Sequence, residues 1–233
     1  MVSSNRIFRR SRLPRLLSGG LWSSAALFGL SLFVIAPSAS YAAGELQKAI
    51  DDASEFATVK LGPGLYEGNI VIRKPLTLVA TQPSAVIKGD GKGSVVTVES
   101  SYVTIEGLEI INSGGEHQTI DSGIAVKNDF NVKIKKNKIH ECLFGVNLEK
   151  SNNCVVEDNQ ISSKNLSLGL RGDGIRLWYS HSNLIIKNHT FQVRDNVFWY
   201  SSGNTVEKNI GRNSRYSLHF MYADRNKVLD NDF

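Results

Sequence analysis

Beyond residue 54 this chain shows no helical periodicity, and beyond residue 43 no apolar run long enough to cross a bilayer. Outside its first 42 residues it also lacks net charge. The formal +5 comes from Arg6, Arg9, Arg10, Arg12 and Arg15, in a stretch with no acid; the remainder carries 22 basic and 22 acidic residues. A neutral body lacks the basic footprint of nucleic-acid binding, so no nucleic-acid partner is expected. Cysteine is scarce, with two in 233 residues. No nucleophile-and-base set and no phosphate-binding loop occurs.

The first 42 residues read as an export signal. The arginine-rich start leads into the apolar run Leu21 to Ala36, and Ser40-Tyr41-Ala42 offers a small-x-small cleavage site before Ala43. Arg9-Arg10 fits a twin-arginine motif poorly, so general secretion is the better reading; an uncleaved membrane anchor is the alternative. Residues 43–233 then form one domain. In an exported chain two cysteines suggest a disulfide. Cys142 and Cys154 lie about half a repeat apart, however, which puts them on different sides and argues against the bond.

What is present is a beat. Asn137, Asn159, Asn188, Asn209 and Asn231 follow one another at gaps of 22, 29, 21 and 22 residues, each three residues after Ile134, Val156, Ile185, Val206 or Val228. That period is too short for paired helices and fits one turn of a strand solenoid. Short β-rich segments with Gly, Pro and Asp at every gap begin at Val59. The expected fold is all-β: a right-handed parallel β-helix of ~22-residue coils. Residues 45–53 read as a short amphipathic helix, with Leu46, Ala49, Ile50 and Ala53 on one face, placed to cap the first coil. The chain stops at Phe233 just after a marker, which reads as a truncated solenoid with an open edge.

The markers are expected to be rungs. Asn tolerates turns, and its amide can pair with the same amide one coil up, ~4.8 Å away. Asn183, Asn204 and Asn226 form a second such series. Thirteen and eleven residues before the markers stand inward positions. The first holds Ile124, Val146, Ile175, Asn196 and Leu218; the second holds Val126, Leu148, Leu177, Phe198 and Phe220. Asn196 breaks the apolar column, so it must hydrogen-bond internally or mark a distortion. Extra residues near 113–117 and 162–170 are loops that flank one side.

Outward positions alternate with these. Arg176, Trp178, Val197, Trp199, His219 and Met221 face out in the last three coils, followed by Tyr179, Tyr200 and Tyr222. An outward column of Trp, Tyr and Met marks a partner surface, unless it packs under a loop. The candidate partner residues are Arg176, Trp178, Tyr179, Trp199, Tyr200, His219, Met221 and Tyr222. His219 and Met221 also present imidazole and thioether from one face, a pair suited to copper that needs further ligands from elsewhere; His181, two coils away, is too distant. Asp121 and Asp173, each at a strand start beside Gly, read as turn chemistry. No outward strand position holds an acid in two adjacent coils, as glycoside cleavage would need.

Four segments resemble the NosD family, periplasmic β-helix proteins of nitrous-oxide-reductase maturation. They are Leu61-Gly-Pro-Gly-Leu-Tyr-Glu-Gly-Asn-Ile-Val-Ile, Lys74-Pro-Leu-Thr-Leu, Gly172-Asp-Gly-Ile-Arg-Leu-Trp-Tyr-Ser and Ser214-Arg-Tyr-Ser-Leu-His-Phe-Met-Tyr. The first two are shared with many carbohydrate-binding and sugar-hydrolase-like β-helices. The resemblance implies a non-catalytic scaffold in the periplasm, peripheral to the inner membrane. Its implied partners are an ABC transporter permease and ATPase, a copper chaperone and nitrous oxide reductase, and copper is the implied metal. The alternative is a carbohydrate-binding or carbohydrate-active β-helix with lyase or hydrolase activity. The Asp-Asp, Gly-His-Gly and Arg-x-Lys stretches of polygalacturonases are absent.

Overall fold

The computed structural model describes residues 32–35, 40–42 and 44–233. Most of the expected export signal lies outside them. From Thr58 onward, each coil visits three parallel sheets in turn. Thr58–Leu61, Gly64–Glu67 and Ile70–Ile72 make one circuit, and Lys133–Lys135, Lys138–Cys142 and Phe144–Glu149 a later one. Among the described residues the three sheets hold nine, eight and seven strands, each paired with its equivalent one coil away. This is the right-handed parallel β-helix expected from the 22-residue beat.

The helix Glu45–Asp52, here α1, covers one sheet edge. It buries Leu46 and Ile50. Its Gln47 accepts from the backbone N–H of Val71 at 2.7 Å and donates to the Val71 carbonyl at 3.0 Å. Val71 is central in Ile70–Ile72, the terminal strand of the third sheet. One amide thus satisfies both groups that the edge would leave open. The first two sheets are continued by Leu32–Ile35 and Ser40–Tyr41, which pair with Thr58–Leu61 and Leu65–Tyr66.

The asparagine beat is a hydrogen-bonded ladder between the first and second sheets. Asn137, Asn159, Asn188 and Asn209 each donate their backbone N–H to the side-chain oxygen of the next rung, at 2.8–3.1 Å. Their side-chain amides reach the same oxygen at 2.9–3.0 Å. The left-handed turn falls one residue earlier than the Asn. Lys136, Asp158, Lys187, Lys208 and Asp230 have φ between 52° and 55°, a conformation that costs a non-glycine residue about 1 kcal/mol or more. The rung next door compensates by satisfying the turn's buried polar groups. Asn183, Asn204 and Asn226 repeat the arrangement after Ser182, Gly203 and Arg225. This second ladder begins at Cys154, whose N–H donates to Asn183 Oδ1 at 2.8 Å. Both cysteines are free and buried. Ser151, Ser180 and Ser201 form a third series at the exit of the third sheet.

The inward columns are buried through Ile124, Val126, Val146, Leu148, Ile175, Leu177 and Phe198. In Tyr216–Met221, the opposite terminal strand of its sheet, Leu218 is only partly buried and Phe220 is 38 % exposed. Asn196 both bonds internally and marks a distortion. It accepts from Ile175 N–H at 2.9 Å and donates to Thr190 Oγ1 and the Ser217 carbonyl at 2.9 and 2.8 Å. The pairing register shifts between Asp195 and Val197, a bulge that leaves an extra residue on the facing strand.

Candidate functional site: an aromatic stripe beside an arginine–aspartate cleft

The outward residues of the third sheet meet as the register requires. Arg176 pairs with Val197 and Val197 with His219; Trp178 pairs with Trp199 and Trp199 with Met221. Strand spacing therefore sets ring spacing. The Trp178 and Trp199 centroids lie 4.7 Å apart, edge to face. Tyr179, Tyr200 and Tyr222 stack nearly parallel at 4.8 and 5.0 Å. These three tyrosines occupy the left-handed turn that ends each strand, with φ of 48° to 51°. The same turn holds Lys150 in an earlier coil, so this geometry belongs to the fold and the sequence uses it to display rings. Arg176 lies over the Trp178 ring at 5.1 Å, within cation–π range. Tyr222 is 76 % exposed and Tyr179 44 %. The structure thus brings all eight candidate partner residues onto one face.

The outward positions that precede the stripe are less open than alternation suggests. Ala125, Asn147 and Val197 are buried. Asn147 accepts from Arg176 Nη1 at 2.9 Å. The two insertion loops do flank this side and they touch: His117 Nε2 lies 3.0 Å from the Leu170 carbonyl. His117 also meets the edge of Phe144 at 5.5 Å.

Between the loops and the stripe opens a cleft of about 380 Å³ that sequence reasoning missed. Its floor holds Asp173 and Asp195, at the starts of adjacent coils and both buried. Arg194 donates Nε and Nη2 to Asp173 Oδ1 at 3.2 and 3.0 Å. Arg215 donates Nε to Asp195 Oδ1 at 3.1 Å and Nη2 to Oδ2. Burial pushes the Asp173 carboxyl up, and Arg194 only partly opposes that. Two buried acids from adjacent coils therefore meet in this cleft, Asp173 from just before its strand and not from an outward strand position. Each carboxylate is clamped by a guanidinium, so neither stands free as a nucleophile or general base. The arginines escaped notice because they lie at irregular distances from the Asn markers, the bulge having shifted the register. Asp173, read from sequence as a turn residue, is the partner of Arg194.

His219 and Met221 both line this cleft. His219 Nδ1 is buried without a hydrogen-bond partner among the described residues, 3.8 Å from Asp195 Oδ2. Imidazole and thioether on one strand face suit Cu(I) chemically. Among the described residues no group of three or more His, Cys, Asp or Glu is placed to hold a metal ion. His181 lies apart, lining a separate hollow with Arg225 and accepting from Ser202 N–H at 3.1 Å.

Fold and site define a right-handed parallel β-helix with an aromatic stripe and a polar cleft on one sheet. Comparison with known proteins agrees. A family model described as "Right handed beta helix region" matches residues 85–191. An alginate lyase from Paenibacillus sp. superposes with a TM-score of 0.53 at 12 % identity, covering 83 % of this chain and 98 % of the lyase, and shows the fold alone.

The family model "Periplasmic copper-binding protein (NosD)" matches residues 159–233. A Pseudomonas aeruginosa protein named "Probable ABC transporter binding protein NosD" is 33 % identical over 137 residues, 58 % of this chain and 32 % of that one. Its namesake in Stutzerimonas stutzeri is 29 % identical over 138 residues, 58 % of this chain and 31 % of that one. By these matches the chain is similar to NosD-type proteins, and its fold is a parallel β-helix. It spans about a third of the length of the curated relatives it matches.

Proposed function

We propose that this chain is a periplasmic accessory protein that docks on an ABC transporter and takes part in copper-centre assembly of nitrous oxide reductase. The observation that carries the reading is the aromatic face. Trp178, Trp199 and Met221, flanked by Tyr179, Tyr200 and Tyr222, form one continuous stripe inside the NosD-matched residues 159–233. Solvent-facing Trp, Tyr and Met in contact with one another are typical of the apolar centre of a protein interface. Arg176 at its margin adds a hydrogen-bonding anchor of the kind that recurs at binding hot spots. A copper chaperone and the reductase are the further partners. Within this reading His219 and Met221 offer a transient pair of Cu(I) donors that a partner protein completes.

Export supports the same compartment. Residues 1–42 have the form of a signal segment, and no helix among the described residues is long and apolar enough to cross a membrane. A non-enzymatic role is part of this reading, and the engagement of the cleft's acid pair by Arg194 and Arg215 supports it. Carbohydrate binding is the second reading, favoured by rings that border a cleft lined with charged groups. A complementation experiment decides between them. Expressed in a strain lacking its NosD-type protein, the chain is expected to restore active nitrous oxide reductase. Failure with the folded chain present in the periplasm would overturn the assembly role.

A further inference from the structure

The cleft beside the stripe has a charge balance and an unmet donor that docking does not explain. Three guanidinium groups line it, from Arg176, Arg194 and Arg215, against two carboxylates, Asp173 and Asp195. These five groups carry one more positive charge than negative. The carboxylates hold the arginines by their Nε and Nη2 edges. Among the described residues, Nη1 of Arg194 and of Arg215 makes no hydrogen bond. Trp199 Nε1 is buried and has no hydrogen-bond partner among the described residues. An indole N–H only donates, so whatever satisfies it must accept. Leaving a buried donor unpaired is costly enough that such groups usually signal a missing acceptor.

We propose that the cleft binds one small organic monoanion, a carboxylate on a ring-sized body, with its oxygens shared between Trp199 Nε1–H and the open edge of Arg215. A carboxylate accepts two donors side by side and cancels the single surplus charge. The cleft volume of about 380 Å³ lies in the range of small-molecule sites and exceeds what a bare inorganic ion needs. Phe144 and Val197 supply apolar wall for the body of the ligand. Asp173 and Asp195 act here as positioning residues that fix the guanidinium planes. The site shares Trp199 with the docking stripe, whereas Arg215 lies outside the eight stripe residues, so Arg215→Gln probes the site apart from docking.

Titration calorimetry of the intact chain with glucuronate, benzoate, glucose and sulfate tests this. Glucuronate and benzoate distinguish a sugar acid from an aromatic acid as the source of the carboxylate, and the tighter of the two is carried forward. That acid is expected to bind with one site per chain and glucose at least tenfold more weakly. Trp199→Phe keeps an aromatic side chain but loses the indole N–H with its five-membered ring; it is expected to weaken binding about tenfold, the worth of one hydrogen bond to a charged group. Arg215→Gln should do the same or more. If Arg215→Gln disturbs the fold, judged by its circular dichroism, Trp199→Phe alone decides. No binding of either acid at millimolar concentration, equal affinity for glucose or sulfate, or unchanged affinity in Trp199→Phe would each overturn the proposal.

Discussion

Replacing Asn188 by alanine removes a fully buried, five-bonded rung of the asparagine ladder. Its Oδ1 accepts from Asn159 N–H at 3.1 Å and from Asn159 Nδ2 at 2.9 Å. Its Nδ2 donates to the Val156 and Ile186 carbonyls at 2.8 and 3.1 Å and to Asn209 Oδ1 at 3.0 Å. Asn188 is 1 % exposed and Asn159 equally so, so water cannot replace what is lost. Two buried donors on Asn159 lose their acceptor, at about 1–3 kcal/mol each. The acceptors lose less, since a carbonyl keeps a second lone pair. A total of about 3 kcal/mol follows, a large share of the ~5–15 kcal/mol that holds a domain together. In urea, with a slope of roughly 2–3 kcal/mol/M, the midpoint should fall by about 1–1.5 M at unchanged slope. Asn188→Asp keeps the acceptor but cannot donate, and it sets a carboxylate against Asn209 Oδ1. It should be at least as damaging at pH 7 and recover partly once protonated. Asn231→Ala is the control. That rung is only half-buried, so its loss should cost about 1 kcal/mol or less. A cost for Asn188→Ala below about 1 kcal/mol, or equal to that of Asn231→Ala, would refute the ladder as a source of stability.

Three further outcomes are expected. Burial pushes the Cys142 and Cys154 thiols up to about 11, so a thiol reagent at pH 7.5 should label neither in the native chain and both after denaturation; rapid native labelling would contradict the packing. Burial raises the Glu109 carboxyl, but hydrogen bonds from His140 and Lys138 outweigh it and hold the group below its ordinary 4.5. A depressed carboxylate contributes stability that is present above its ordinary value and lost as pH falls through the lowered one. The melting temperature should therefore drop below about pH 4.5, less steeply in Glu109→Gln; equal slopes would remove this pair from the cause. For copper, His219→Ala with Met221→Ala should lower Cu(I) affinity in a competition titration by at least tenfold, and equal affinity would dismiss those two donors.

Much of this architecture was legible because a solenoid repeats itself. The interval between Asn137 and Asn159 gave the coil length, and the alternation around it placed Val146 and Leu148 inside and Trp178 outside. The misfit of Asn196 was visible in the column it interrupts, and its three hydrogen bonds with the adjacent bulge account for it. The cleft was not legible. Arg194 and Arg215 hold no constant distance from a marker, and Asp173 beside Gly174 looks like any turn. Their meeting depends on the bulge and on the loops joined by His117 and Leu170, which are tertiary facts. The backbone strain beside each rung was not legible either, since it falls one residue before the asparagine. The asparagines are the acceptors of the turn, while Lys136, Asp158, Lys187, Lys208 and Asp230 carry its positive φ.

The stripe is the centre of the functional proposal, and capture of its partner tests it most directly. Trp178→Ala with Trp199→Ala removes two rings that touch each other on the outward face and leaves the buried Leu177 and Phe198 beneath them in place. Affinity capture of a NosD-type ABC transporter complex by the intact chain should be lost or weakened at least tenfold in the double variant, with the circular dichroism of the coil unchanged. Capture by the folded double variant equal to that of the parent would contradict docking through this face.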